Sequence, residues 1–151
     1  MSLLSQPGGI VAMFPGGAVG MFGARGFTRM PAVAAILDDY EVGDPCADLV
    51  AFSGLPRADA VRLLKLLPAN QADVAAQGAP TFSELLAATR RCSTACFAGV
   101  RITPRRLDER IVLDAVSISG AEVTPARRRR LEALHPVRLE VTEGKITASW
   151  A

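Results

Sequence analysis

The stretch FAGVRITPRRLDERIVLDAVSIS, residues 97–119, decides the fold because the period of the chain changes there. Its two ends, FAGVRIT (97–103) and RIVLDAVSIS (110–119), are rich in β-branched residues and are joined by the polar PRRLDE. Runs of this kind predict strands over 96–103 and 110–118, folded back as an antiparallel hairpin. Downstream, VRLEVTEGKITASW (137–150) alternates Val137, Leu139 and Val141, then Ile146, Ala148 and Trp150, across Glu143-Gly144. That pattern predicts a second hairpin with a short turn. Between the two, TPARRRRLEALHP (124–136) reads as a helix with Thr124 as N-cap, Pro125 as first helical residue, and Leu131 and Leu134 facing inward.

Upstream the period is helical. PRADAVRLLKLLP (56–68) repeats Val61, Leu64 and Leu67, with Leu63 and Leu66 beside them, until Pro68 stops it. TFSELLAATRRC (81–92) opens on a T-x-x-E capping box, Thr81 and Glu84, and turns Phe82, Leu85, Leu86 and Thr89 inward. The expected fold class is therefore α+β. It is a single domain with two N-terminal helices, then two antiparallel hairpins with an intervening helix (α-α-β-β-α-β-β), helices on one face of a four-stranded sheet.

A chain of 151 residues, half of them apolar, can bury a core without disulfide or metal staples. The three cysteines, Cys46, Cys92 and Cys96, are an odd number without a secretory signal before them, which points to free thiols and a cytoplasmic protein. No window reaches the roughly 18 apolar residues that span a bilayer, so no membrane association is expected.

Residues 1–37 differ from the rest: they hold all four methionines, seven of the thirteen glycines and no acid. They are expected to form a glycine-rich apolar arm, flexible or ordered by a partner, ahead of a single domain over 38–151. Phe14 and Phe22 are its candidate contacts. Pro7, Gly8, Gly9 and Pro15 interrupt any signal-peptide core, and both arginines come late. IVAMFPGGAVGMF (10–22), followed by GFTRMPAVAAILDD (26–39), resembles the opening strand, glycine turn and first helix of acyl-carrier-protein acyltransferases. Gly16 and Gly17 stand where that turn carries glutamine, and no G-x-S-x-G elbow follows, so the resemblance brings no activity with it.

The catalytic inventory is thin. Ser/His/Asp or Cys/His chemistry would depend on one histidine, His135, which sits before Pro136 at a helix end and reads as a cap or a solvated side chain. The three cysteines and His135 make a Cys₃His count but lack a C-x₂-C knuckle, so no metal and no cofactor is expected. No P-loop or dinucleotide fingerprint is present. The acid-rich DDYEVGDPCAD (38–48) does not match a calcium loop and reads as a solvated surface loop.

The cations are skewed: of 17 Lys and Arg only Lys65 and Lys145 are lysines, leaving 15 arginines. Arg101, Arg105, Arg106 and Arg110 with Arg127 to Arg130 could form a nucleic-acid surface. Six acids lie among them, Phe97 and Trp150 are the aromatics of those strands, and the acid loop can fold back onto the arginines. Arg127 is expected to pair with Asp114, Arg128 to reach Glu132, and Arg128 and Arg129 to remain accessible. The expected function is a non-enzymatic accessory or assembly subunit that binds another protein or itself as a homo-oligomer, through Arg105, Arg106, Arg128, Arg129, Phe14 and Phe22. A nucleic-acid binder is the alternative, and a small zinc module a more distant one.

Overall fold

The computed structural model describes residues 20–151. Its elements in chain order are α1 (Pro31–Leu37), β1 (Glu41–Val42), β2 (Leu49–Pro56), α2 (Arg57–Leu66), α3 (Phe82–Ala88), β3 (Cys96–Ile102), β4 (Arg110–Ser119), α4 (Pro125–Glu132), β5 (Arg138–Thr142) and β6 (Lys145–Ser149). Single turns of 3-10 helix cover Phe27–Arg29, Ala69–Asp73 and Gly120–Glu122. The strands form one antiparallel sheet in the order β1-β2-β3-β4-β6-β5. The α+β class holds, but the sheet has six strands rather than four, and the order is α-β-β-α-α-β-β-α-β-β.

The added strands have a physical reason. In β2 the side chains of Val50, Phe52 and Leu55 are buried while Leu49, Ala51, Ser53 and Gly54 are exposed. The inward spacing slips from two to three after Phe52, where the pairing with β3 shifts register and Gly54 takes φ 75°. An alternation broken within eight residues leaves a weak period-2 signal. Strand β1 is two residues long and is held by pairing to β2, so nothing local announces it.

The two hairpins form as the alternation requires. Strands β3 and β4 pair from Cys96↔Ser117 to Ile102↔Arg110. A bulge opposite Ala98 and Gly99 makes Asp114 the extra residue. A Cβ at Gly99 would lie 2.0 Å from the Val112 carbonyl oxygen and 2.8 Å from Phe52 Cζ, so the strands approach this closely only over glycine. Strands β5 and β6 close over Glu143-Gly144 with Gly144 at φ 81°. Thr81 and Glu84 exchange both bonds of the capping box. The Thr124 hydroxyl accepts the Arg127 amide at the start of α4.

All four helices contribute to one core. Val33, Leu63, Leu85 and Leu131, one from each helix, join Phe52, Phe97, Leu113 and Ile146 from the sheet in a single buried cluster. Residues 20–37, expected as part of an arm, are packed against this domain: Phe27, Val33, Ile36 and Leu37 belong to the same cluster. The carboxylate of Glu109, only 1% exposed, accepts the amides of Gly26 and Thr28, each at 2.9 Å, and the Thr28 hydroxyl at 2.6 Å. This ties the segment to the start of β4. Phe14 lies outside the described residues.

Candidate functional site

Arginine guanidinium groups seek carboxylates, and in this chain most of the hairpin arginines find one at home. Arg106 makes a two-pronged bond to Asp108, 2.7 Å on each arm, and Arg110 meets the same carboxylate at 2.9 Å. Arg106 is the main reason the Asp108 carboxyl is held below its ordinary range. Arg105 pairs with Asp48 at 2.7 Å. Arg101 is buried and pairs with Glu41 through both guanidinium arms, with side-chain exposures of 7% and 8%. The acid loop therefore folds onto the first hairpin.

The arginines of α4 are placed differently. Arg128 reaches Glu132 at 3.6 Å, one turn on. Arg127 does not meet Asp114; its Nη1 donates to the Glu122 carbonyl at 3.2 Å. The bulge explains this, since Leu113 and Val116 face the helices and Asp114 falls on the other side of the sheet. Partial burial raises the Asp114 carboxyl above its ordinary value. Arg90, Arg91, Arg129 and Arg130 are exposed and have no ion pair among the described residues. Arg90 and Arg91 follow α3, and Arg129 and Arg130 lie on α4, a helix in contact with α3. Arg90 and Arg91 carry no sequence signal beyond their charge.

Phe22 is half-buried against the core, and the Arg110 guanidinium stands 5.5 Å from its ring centre. This cation–π contact helps fasten residues 20–26 to the sheet. Of the residues expected to meet a partner, Arg105, Arg106 and Phe22 thus lie near the β3–β4 connection with internal contacts. Arg128 and Arg129 lie on α4 and are exposed.

The nucleophiles and metal ligands do not converge. Cys46 is exposed in the acid loop, Cys92 is buried after α3, and Cys96 is the first residue of β3. Burial pushes the Cys92 thiol up. His135 is exposed with φ 56° and donates its amide to the Glu132 carbonyl, which makes it the left-handed residue ending α4. Among the described residues no three His, Cys, Asp or Glu side chains are grouped to hold a metal, and the Cys₃His set stays dispersed. A cleft of about 290 Å³ opens between α1 and the acid loop, lined by Thr28, Arg29, Asp38, Pro45, Cys46 and Arg101. Its buried cation is already engaged by Glu41 and the Pro45 carbonyl.

Among the described residues the sheet has one long edge with no further strand paired to it. Among the described residues strand β5 pairs only with β6, and four of its five residues are exposed. Val137, immediately before it, is 76% exposed and Val141 is 43% exposed. Thr142 and Lys145 close the two-residue turn, so Thr142, Glu140 and Arg138 direct their N–H and C=O groups toward β6. The backbone groups of Val137, Leu139 and Val141 face outward. A free ladder flanked by exposed valines can add an extended strand.

No protein-family model, curated protein or solved structure matches the chain.

Proposed function

We propose that this protein works by binding another polypeptide, which adds a strand to the open β5 edge. The observation that carries the reading is the pairing of free backbone groups at Val137, Leu139 and Val141 with two exposed valine side chains. Natural sheets usually blunt such an edge with proline, bulges or a covering element, because it pairs with whatever strand is offered. Main-chain bonds would supply affinity, and the alternating side chains specificity.

Val141→Pro tests the reading. Proline at this position removes an outward N–H and leaves the bonds to β6 in place. The variant is expected to fold as the parent does and to lose the polypeptides that co-purify with the full chain from its natural source, counted by quantitative mass spectrometry. Undiminished co-purification would overturn the reading.

A second reading rests on Arg90, Arg91, Arg129 and Arg130, exposed cations carried just after α3 and on the contacting α4, a residue type that suits a phosphate backbone. It requires affinity for a mixed-sequence oligonucleotide that falls steeply with salt and is lost in Arg129→Ala/Arg130→Ala.

A further inference from the structure

Resting on that reading of the β5 edge, we infer that the strand it receives is β5 of a second copy, paired antiparallel about a two-fold axis at Leu139. Outward backbone groups occur only at the odd positions 137, 139 and 141, so an antiparallel partner of the same sequence must set odd residues opposite odd residues. Three compact registers satisfy this, centred on Arg138, Leu139 or Glu140.

Charge separates them. Centring on Arg138 or on Glu140 sets each of those residues against its own copy, and like charges directly opposite destabilise a strand pair. Centring on Leu139 sets Arg138 against Glu140 twice and Val137 against Val141 twice, with Leu139 against Leu139 on the axis. Arg138 and Glu140 are exposed, and neither has an ion pair within the described residues. Val137 and Val141, the exposed apolar side chains of this edge, cover each other in that register alone among the three. Two six-stranded sheets then continue as one twelve-stranded sheet.

Sedimentation equilibrium of the full chain tests this directly. A concentration-dependent dimer is expected. Arg138→Glu or Glu140→Arg, each of which brings two like-charge pairs together, should weaken the dimer roughly tenfold or more. The double variant Arg138→Glu/Glu140→Arg should restore it, since the swapped charges again face their opposites. Circular dichroism of the single variants should match the parent, because both side chains are exposed. A monomer at every concentration overturns the inference, as does a dimer indifferent to the single substitutions or unrepaired by the double one. If the chain is monomeric while Val141→Pro still strips a different protein from it, the second copy fails as partner and the docking edge stands. If the chain is monomeric and Val141→Pro strips nothing, both fall.

Discussion

The two edges of the sheet are built in opposite ways. At one edge β1 is only two residues long, and the acid loop that follows it is drawn onto the neighbouring strands. Arg101 holds Glu41 and the Pro45 carbonyl, Arg105 holds Asp48, and the Thr103 amide and hydroxyl donate to the Asp48 and Ala47 carbonyls. At the other edge β5 offers five residues with no strand across them among the described residues. The same sheet therefore spends charged groups on closing one side and leaves apolar groups exposed on the other. Closure of an edge takes stability from buried contacts, whereas an open edge keeps its interactions for a partner.

Substitutions at the two edges should separate these roles. The largest effect is expected at the closed edge: Arg101→Ala would leave Glu41 buried and unpaired, costing about 3–5 kcal/mol in urea unfolding. A smaller effect concerns the carboxylate that ties the start of β3 to the turn after β4. Glu122 accepts the hydroxyl and amide of Thr94 and of Ser93, and the Thr94 bonds above all hold its carboxyl at about 2, below the ordinary 4.5. A depressed folded value stabilises above the unfolded one and is lost as pH falls through the folded one. The stability gap between the parent and Glu122→Gln should accordingly be full at about pH 5 and shrink toward about pH 2. The smallest effect belongs to the open edge. Val137→Thr should move monomer stability by less than about 0.5 kcal/mol, since its side chain is exposed in the monomer, while lowering association.

Much of this architecture was legible in the sequence where the signals are local. The T-x-x-E box at Thr81, the Thr124-Pro125 start of α4 and the Glu143-Gly144 turn each specify their element through a few neighbouring residues, and each formed. Strand β2 was missed because Ser53-Gly54 breaks its alternation, and β1 because it exists only by pairing with β2. Helix α1 was hidden in a glycine-rich stretch, although Pro31 at its first position is a start signal. The anchoring of residues 26–28 by Glu109 spans more than eighty residues and leaves no local trace. The candidate edge was half legible. The alternation of Val137, Leu139 and Val141 announced a strand, but only the strand order shows that β5 lies outermost. Pairing of Arg105 and Arg106 with nearby acids follows from the charge pattern of 38–48 and 104–109, whereas the Arg127–Asp114 pairing failed on a bulge that composition does not encode.

Amide hydrogen exchange in β5, followed by NMR at low and high protein concentration, tests the central claim most directly. Leu139 and Val141 amides point outward and Glu140 toward β6. Leu139 and Val141 should therefore exchange fast at dilution and become protected as concentration rises, with Glu140 protected throughout. Leu139 and Val141 amides that exchange equally fast at every concentration would contradict the pairing of this edge with a second copy.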